Sequence, residues 1–361
     1  MTIQARVFQI GEDPIVAIDN NLELVPMSRP QLTRAVDILI EVVCSGISWV
    51  DVLMMCGVYQ HKPILPYTPG LEYSGRILSL GDAAAKKGFR VGDRVLVDCF
   101  TAGPRTSGSY QQYGGFASYA IAPVQAVHRI PASFSFAQGS NFLGNYETAY
   151  HALVHCGRLH KGETILIHGA SGGTGLAAVQ IAKAIGAHVI ATGRTREKLA
   201  VVQKHGADHI VALEGAGDHY LFREEVRACN GGAGVDVVYD GVGGGVIVES
   251  LRTLRFGGRY LVIGWASTPF IAKQKQRSNM IPSNLILMKG LQAIGCPAVI
   301  SAQKDPSIRK QRLQALMQWV EEEKIAPYCA KVFPFEKIKE ALKERWRGGI
   351  VGGVAVRLPS K

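Results

Sequence analysis

The sequence lacks several patterns that mark whole classes of protein. Its seven cysteines are scattered and form no C-x-x-C pair, so they indicate reduced thiols rather than a disulfide framework or a thiolate zinc cluster. No apolar run reaches the roughly 18 residues that a transmembrane helix needs. Glycine is abundant, at 41 residues, but it follows no G-X-Y period, so a collagen helix is excluded.

Acidic side chains are also few: the chain has 29 Asp and Glu against 40 Lys and Arg, which gives a net charge of +11. Such a surplus favours a phosphate-bearing partner: a nucleotide, a nucleic acid or an acidic lipid. Apolar residues make up 47% of the chain, which is enough for a packed core. A length of 361 residues predicts two domains, with three as the alternative. The N-terminus has no signal or transit character, so we expect a cytoplasmic protein.

The pattern of apolar runs changes along the chain. Up to residue 130 the runs are short and interrupted by Gly, Pro and Asp, which predicts a bent, partly antiparallel β domain. Residues 100–115 are rich in Gly, Ser, Thr and Tyr and predict a long surface loop. Beyond residue 131, short apolar strands alternate with helical patterns, which predicts an α/β domain with a doubly wound parallel sheet. Near the C-terminus, two amphipathic helices precede a strand at residues 351–356.

Residues 168–175 read H-G-A-S-G-G-T-G, between a predicted strand at 164–168 and a helix of small residues. The strict G-x-G-x-x-G spacing is absent, but the glycines permit a tight turn and close packing of helix on strand. A pyrophosphate would bind the free N–H groups at the helix N-terminus, where the helix dipole favours negative charge. The alternative is a glycine-rich connection that serves packing alone.

The end of the next predicted strand indicates which dinucleotide is bound. A domain that prefers NAD usually carries Asp or Glu there, to bind the ribose 2′-hydroxyl. This chain has Arg194, followed by Arg196 and Lys198. Because a guanidinium can bind a 2′-phosphate that a carboxylate would repel, the residues predict NADPH as cofactor. An ordinary solvated helix start is the alternative.

Further segments complete a pattern that resembles the medium-chain dehydrogenase/reductase superfamily, in its zinc-independent, zeta-crystallin-like quinone oxidoreductase branch. Besides the glycine turn, the segments are G-V-Y-Q-H-K-P-I-L-P-Y-T-P-G at 57–70, G-D-R-V at 92–95, Y-E-T-A-Y-H-A-L at 146–153 and G-G-R-Y-L-V-I-G at 257–264. The resemblance covers nearly the whole chain. It implies a GroES-like, mainly β catalytic domain from residues 1–130 and 300–361. A Rossmann NADP(H)-binding domain would comprise residues 131–299.

The same resemblance implies which residues bind the cofactor. The pyrophosphate would contact the turn at Ser171, Gly172, Gly173, Thr174 and Gly175. Arg194 and Lys198 would lie at the adenosine end. The path towards the nicotinamide would be lined by Gly241, Gly264, Trp265 and Ala266. Dimers or tetramers are usual, partly through the strand that corresponds to residues 291–296, so we expect a homo-oligomer.

Where zinc-dependent relatives carry a cysteine and a Gly-His-Glu triplet, this chain has Ser48 and Gly70-Leu71-Glu72, so no metal is expected. The remaining chemistry is hydride transfer from NADPH to a quinone or a related α,β-unsaturated carbonyl. Related enoyl-thioester reductases carry a proposed proton donor at the position of Tyr59, although packing against the cleft wall is the alternative. Ser48 could contact the nicotinamide ribose. Asp51 could orient its neighbours, or simply cap a helix.

The substrate is less defined than the cofactor, because Leu53, Asn145 and Pro297 depart from the branch pattern around the acceptor site. An enoyl-thioester reductase is therefore one alternative. A binding function is another: zeta-crystallin-like proteins can bind AU-rich RNA, and the densest basic patch comprises Lys273, Lys275 and Arg277. No RRM or KH signature supports that function, and the patch also fits a solvated loop.

Two patterns outside these motifs have simpler explanations. His151 and His155 have the spacing of metal ligands on a helix, but a helix-face pair without a third ligand explains them better. Cys44, Cys56 and Cys99 are consistent with scattered buried thiols.

Overall fold

The computed structural model describes residues 2–213, 220–271 and 279–359, and the chain divides into two compact units. The first unit combines Met1–Gly144 with Ala326–Lys361, and the second is Asn145–Ile325. Each unit is described by itself below. None of the helices in the described ranges is long and apolar enough to cross a membrane.

The strands follow one another along the described chain as β1 (Ile3–Val7), β2 (Leu22–Pro26), β3 (Asp37–Gly46), β4 (Tyr73–Leu80), β5 (Arg94–Val97), β6 (Tyr119–Pro123), β7 (Val127–Arg129), β8 (Thr164–Ile167), β9 (His188–Gly193), β10 (His209–Ala212), β11 (Val235–Asp240), β12 (Leu254–Val262), β13 (Gln292–Gly295), β14 (Cys329–Pro334) and β15 (Gly353–Arg357).

The α-helices are α1 (Pro14–Val16), α2 (Trp49–Met55), α3 (Asp82–Lys86), α4 (Phe136–Gly139), α5 (Leu143–Tyr150), α6 (Gly173–Ile185), α7 (Arg196–Lys204), α8 (Arg223–Cys229), α9 (Ile247–Thr253), α10 (Ser283–Lys289), α11 (Ala298–Lys304), α12 (Ile308–Glu321) and α13 (Ile338–Arg347). Two of them continue as π-helical turns, α1 into Ala17–Asn21 and α5 into His151–Cys156.

The first unit is built on a bent sheet in the order β14-β15-β3-β4-β5-β7, with β6 paired to β3 and a separate ribbon of β1 and β2. Apart from the parallel pair β14–β15, the pairings in this unit are antiparallel. The C-terminal strands therefore return to complete the sheet of the first unit. A stack of Trp49 on Trp346, with ring centroids 4.3 Å apart, joins α2 to α13.

The second unit contains a parallel sheet in the order β10-β9-β8-β11-β12-β13. Because β8 is the first strand of this sheet in the chain, the order is the 3-2-1-4-5-6 arrangement of dinucleotide-binding domains. Strands β8 and β11, in the middle of the sheet, are buried along their whole length, as expected when helices cover both faces. Their core includes Leu166, Ile190, Val238 and Tyr260, all nearly inaccessible to solvent. This confirms the predicted α/β fold with a GroES-like, mainly β companion.

The boundaries between the units differ from the predicted residues 130 and 300. Residues 131–144 belong to the first unit because α4 packs on β3, β4 and β15. The Ser74 hydroxyl also donates to the Phe136 carbonyl at 2.6 Å. At the other end, α12 belongs to the second unit because Arg309 and Arg312 bind Glu147 within it.

The segment 100–115 also differs from its prediction as a surface loop. It forms turns, as expected, but Ala102–Arg105 is buried rather than exposed. Arg105 is only 8% exposed. The composition indicated an irregular backbone correctly, but it could not show that the turn is packed into the unit around a charged side chain.

Candidate active site

The glycine-rich turn at residues 168–175, called the phosphate turn below, joins β8 to α6 in the second unit. Gly169 has a φ of +62°, and the Gly172 N–H donates to the Gly169 carbonyl at 2.9 Å. Gly172 is the N-cap of α6 and has no side-chain oxygen to bind the helix N–H groups. Those N–H groups stand at the carboxyl end of β8, where anionic ligands of such sheets bind.

Gly175 is required by the packing of this turn. A Cβ atom there would lie 2.3 Å from the Gly169 carbonyl oxygen and 2.9 Å from the Ala170 Cα, and neither atom can move without opening the turn. The neighbouring Thr174 hydroxyl donates to the Asn145 side chain at 3.0 Å. The close contacts of this turn therefore explain why its last residue, Gly175, is a glycine.

The loops after β11 and β12 run side by side at the same edge of the sheet. The Ala266 N–H donates to the Gly241 carbonyl at 3.1 Å, and the Gly264 N–H donates to the Asp240 carbonyl at 3.3 Å. A Cβ on Gly241 would meet open space. Trp265 is 48% exposed. The structure thus brings together residues of two loops: Gly241 after β11, and Gly264, Trp265 and Ala266 after β12.

The Asp240 carboxylate fixes the first of these loops. Its Oδ1 accepts from the N–H groups of Val242 at 2.7 Å and Gly243 at 3.0 Å, and its Oδ2 accepts from the Tyr260 hydroxyl. His168, at the start of the phosphate turn, has both ring nitrogens hydrogen-bonded, and burial lowers its pKa. A neutral, fully bonded His168 is therefore a structural residue.

The predicted 2′-phosphate residues lie between β9 and the first turn of α7. Burial and the charge of Arg194 together lower the pKa of Lys198, so the two cations stand close enough to repel each other. A bound dianion would relieve that repulsion. Arg196, by contrast, lies 3.8 Å from Glu225 on α8, and both are largely exposed. Arg194 and Lys198 are therefore neighbours, whereas Arg196 lies beside a carboxylate of α8.

In the first unit, Ser48 is the N-cap of α2. Its hydroxyl oxygen accepts from the Val50 N–H at 3.1 Å, while Asp51 accepts from the Ser48 N–H at 2.9 Å, which completes a capping box. Asp51 also accepts from the Gly70 N–H at 3.0 Å, and burial raises its pKa to about 6. Asp51 is thus the capping residue that the sequence left as an alternative. The Ser48 hydroxyl proton is not used by these bonds.

Tyr59 follows α2 and Gly57 and is half-buried. Its phenol is hydrogen-bonded to the guanidinium of Arg105. Because arginine only donates, the Tyr59 oxygen must be the acceptor, and the phenolic proton stays free to be donated elsewhere. This arrangement gives Tyr59 a charged partner that the sequence did not reveal.

Arg105 is held by contacts within the same unit. Its Nη2 lies 2.9 Å from Cys99 Sγ, its Nε donates to the Cys99 carbonyl at 3.3 Å, and its guanidinium stands over the Phe100 ring at 5.0 Å. Although burial opposes the charge, contact with Cys99, Tyr59 and the nearby Asp98 raises the pKa of Arg105. A permanent positive charge is therefore fixed beside the Tyr59 phenol.

Glu72, the acid of the Gly70-Leu71-Glu72 triplet, accepts hydrogen bonds from backbone groups. Its carboxylate accepts from the N–H groups of Phe142 at 3.1 Å, Leu143 at 2.6 Å and Gly144 at 3.1 Å, at the start of α5. Burial raises its pKa to about 8. Across the described residues, no cluster of three His, Cys, Asp or Glu side chains could hold a metal ion.

The predicted RNA-binding patch at Lys273, Lys275 and Arg277 lies outside the described residues, so it stays a prediction.

Of the two histidines at metal-ligand spacing, His151 is 1% exposed and its ring stacks on that of His155, with centroids 5.1 Å apart.

Comparison with known proteins places both units in one superfamily. Residues 34–132 match the alcohol dehydrogenase GroES-like domain, and residues 173–321 match the zinc-binding dehydrogenase domain. A probable oxidoreductase from Mycobacterium abscessus has 26% identity and a TM-score of 0.78 over 99% of both chains. CurK enoyl reductase has 27% identity and a TM-score of 0.80, again over 99% of both chains. The fold and its nucleotide-binding unit define an oxidoreductase of the medium-chain dehydrogenase/reductase type, with a nicotinamide cofactor.

Curated relatives narrow this class. The human quinone oxidoreductase is 31% identical over 93% of this chain and 91% of its own length. The quinone oxidoreductase-like protein 2 homologue of Nematostella vectensis is 31% identical over 82% of this chain and 75% of its own. The chain belongs to the quinone oxidoreductase branch of the superfamily and is an enzyme of that type.

Proposed function

We propose that this enzyme transfers hydride from NADPH to quinones or related α,β-unsaturated carbonyls, without zinc, and that Tyr59 supplies the proton. The observation that carries the proposal is the hydrogen bond from buried Arg105 to the Tyr59 phenol. With this hydrogen bond, Tyr59 keeps its phenolic proton for donation to the substrate. The positive charge of Arg105 can then stabilise the phenolate that forms. The family relationship to proteins named quinone oxidoreductase supports the class of acceptor.

The proton step follows from the donor and acceptor roles of these residues. NADPH, when bound, supplies the hydride. When hydride adds to carbon of a conjugated carbonyl, negative charge develops on the carbonyl oxygen, and the Tyr59 O–H can donate to it. The guanidinium of Arg105 then stabilises the phenolate until solvent returns a proton. Such general acid catalysis typically contributes about 10²- to 10⁴-fold.

The preference for NADPH is supported by Arg194 and Lys198. The lowered pKa of Lys198, due to burial and then to Arg194, shows two cations close together at the end of β9. A 2′-phosphate would accept charge-assisted hydrogen bonds from both side chains, whereas the 2′-hydroxyl of NADH brings no negative charge to them. The residues of the second unit therefore fit the phosphorylated cofactor.

The absence of zinc from the reaction is supported by the chemistry of Ser48 and Glu72. A serine hydroxyl that caps α2 is a poor replacement for a thiolate ligand. The Glu72 carboxylate already accepts from the backbone N–H groups at the start of α5. In place of a Lewis acid, the first unit has the charged Arg105 and the phenol of Tyr59.

An enoyl-thioester reductase is the second candidate, favoured by the 27% identity to CurK enoyl reductase over the whole chain. Both reactions reduce a conjugated carbonyl and differ in the group attached to it. NADPH oxidation with 1,4-benzoquinone, 1,2-naphthoquinone, an alkenal and crotonyl-CoA separates them. Turnover with quinones or the alkenal but not with the thioester supports the first candidate, and the reverse supports the second. No turnover with any of the four would exclude both.

We also propose that the protein self-associates along β13, which is an edge strand of the parallel sheet. Gln292 and Ala293 on this strand are exposed. Nearby, Leu287 is 80% exposed and Phe256, whose ring lies against Gly290, is 79% exposed. Among the described strands β13 has a neighbour on one side only, and such an edge flanked by apolar side chains fits a second copy of the chain. Sedimentation of wild type and Leu287→Glu tests this, and a monomeric wild type would refute it.

A further inference from the structure

The cysteines show a feature that hydride transfer does not use. All seven are reduced thiols, and two of them, Cys156 and Cys296, lie close together within the second unit. Their thiols share a hydrogen bond. Cys156 ends the π-helical turn after α5, and Cys296 directly follows β13. The fold thus brings together two thiols that are distant in the sequence.

The hydrogen bonds around Cys156 have a fixed direction. Arg312 Nη2 lies 3.2 Å from His151 Nδ1, and because arginine only donates, Nδ1 must be the acceptor. A neutral His151 therefore carries its proton on Nε2, which lies 3.4 Å from Cys156 Sγ. The imidazole N–H consequently donates to the sulfur. Arg312 is itself anchored to Glu147, with Nη1 3.3 Å from Oε2.

This chain of donors favours the thiolate of Cys156. The hydrogen bond from Cys296 is the largest cause and the contact with His151 adds to it, so that the pKa of Cys156 falls to about 5 despite burial. The same hydrogen bond raises the pKa of Cys296, which remains a thiol. The titratable or charged groups that face Cys156 are His151, His155, Cys296 and Arg312.

The two sulfurs also differ in access. Cys156 is partly exposed, whereas Cys296 is only 4% exposed. A partly exposed thiolate beside a buried thiol has the arrangement of an attacking and a resolving cysteine. Cys44 and Cys329 also lie near each other, but burial raises the pKa of both thiols. Cys229, which is partly exposed like Cys156, also has a pKa raised by burial.

We propose that Cys156 and Cys296 form a reactive pair that hydroperoxides oxidise to an intramolecular disulfide. The Cys156 thiolate attacks the peroxide oxygen, forming an S–O bond while the O–O bond breaks, and the departing alkoxide or hydroxide takes a proton from solvent. Cys156 is then a sulfenic acid. Cys296 loses its proton and attacks that sulfur, so that the disulfide forms and hydroxide leaves as water with the proton. The peroxide is reduced by two electrons and the two thiols are oxidised.

The first test uses the wild-type protein and measures alkylation of each cysteine with iodoacetamide by peptide mass mapping. Because Cys156 is already a thiolate, its rate should stay nearly constant between pH 6 and pH 8. The rate of Cys229, the internal control, should rise about tenfold per pH unit below its pKa. At pH 6 we expect Cys156 to react about tenfold faster, since its lower nucleophilicity offsets part of its larger thiolate fraction. Parallel pH profiles for the two residues would overturn the proposal.

The second test treats the full-length protein with hydrogen peroxide and maps the products. Wild type should give a Cys156–Cys296 disulfide that dithiothreitol reverses. Cys296→Ser should instead give a sulfenic acid at Cys156, trapped by dimedone, and Cys156→Ser should give neither product. Cys229→Ser is the matched control and should behave as wild type. The proposal fails if peroxide oxidises another residue of the wild-type protein before Cys156. It also fails if Cys156 is oxidised no faster than Cys229.

Discussion

The phosphate turn and the Tyr59 cluster, which comprises Tyr59, Cys99 and Arg105, are two polar sites built in opposite ways. The turn is one continuous stretch, and its shape depends on glycines whose missing Cβ atoms let a carbonyl approach. The cluster combines side chains from separate segments of the first unit around a buried guanidinium. The backbone makes the first site, and side-chain packing makes the second.

This difference explains why the two sites should respond differently to substitution. A turn shaped by its backbone is disrupted when a Cβ atom is added at its closest contact, because the neighbouring backbone atoms cannot move aside. A side-chain cluster changes in steps, because each member contributes charge, a proton or orientation separately. The predictions below exploit this contrast, in order of decreasing effect.

Gly175→Val should abolish cofactor binding. The Cβ would lie 2.3 Å from the Gly169 carbonyl oxygen, so the turn must open, and overpacking of this kind costs about 1–3 kcal/mol of folding free energy. Fluorescence titration with NADPH and thermal unfolding measure both effects. Gly241→Ala is the matched control for stability, because its Cβ meets open space, and its unfolding should match that of wild type within about 0.5 kcal/mol. Wild-type NADPH affinity in Gly175→Val would refute cofactor binding by this turn.

Tyr59→Phe should lower kcat with the preferred acceptor about 10²-fold or more and leave the KM for NADPH unchanged, since a general acid is lost and cofactor contacts remain. Arg105→Gln should lower kcat less, by about tenfold, and Arg105→Lys should restore part of it. In the double variant Tyr59→Phe/Arg105→Gln, kcat should equal that of Tyr59→Phe, because Arg105 acts through the phenol. Additive losses would show that the two residues act independently, and an unchanged kcat in Tyr59→Phe would make it a packing residue.

Arg194→Asp should raise the KM for NADPH by about 10- to 100-fold and change that for NADH little, as expected when a charge-assisted hydrogen bond to a phosphate is lost. Steady-state kinetics with both cofactors measure the ratio. Arg196→Asp is the matched control, because Arg196 pairs with Glu225 at 3.8 Å, and it should shift the ratio much less. Equal losses for both cofactors in Arg194→Asp would contradict a 2′-phosphate role.

Ser48→Ala should have the smallest effect. Loss of the N-cap of α2 should lower the free energy of unfolding by about 1 kcal/mol. If the unused hydroxyl proton also binds the nicotinamide ribose, the KM for NADPH should rise a few-fold, whereas Ser48→Thr should preserve both functions. An unchanged KM in Ser48→Ala would leave Ser48 as a helix cap alone.

The sequence was a good guide to regular elements and to the phosphate turn, but a poor one to the catalytic surroundings. The strand predicted at residues 164–168 is β8 (Thr164–Ile167), and the strand at residues 291–296 contains β13 (Gln292–Gly295). Their apolar runs and the intervening helix patterns are local signals. The compact units divide at other residues than the predicted 130 and 300, because α4 and α12 join a unit through packing that no local pattern encodes.

Arg105 shows most clearly which part of the candidate site could not be predicted from the sequence. A segment rich in Gly, Ser and Tyr has the composition of an exposed loop, and a single arginine there gives no sign of being buried. The signal available was indirect: Cys99, Phe100 and Arg105 lie within seven residues, which allows a charged group to bond a cysteine carbonyl and stack on a ring. Likewise, no spacing links Cys156 to Cys296.

The amino-acid sequence by itself determined the class of fold, the position of the dinucleotide turn and the basic residues at the end of β9. These depend on periodicity, on glycines and on charges that are close together in the chain. Only the tertiary structure decided which side chains share a proton or a charge. The Tyr59–Arg105 and Cys156–Cys296 contacts join residues from different segments, and burial determines whether each group is charged. Such contacts depend on how the strands and loops pack, which the order of residues does not show locally.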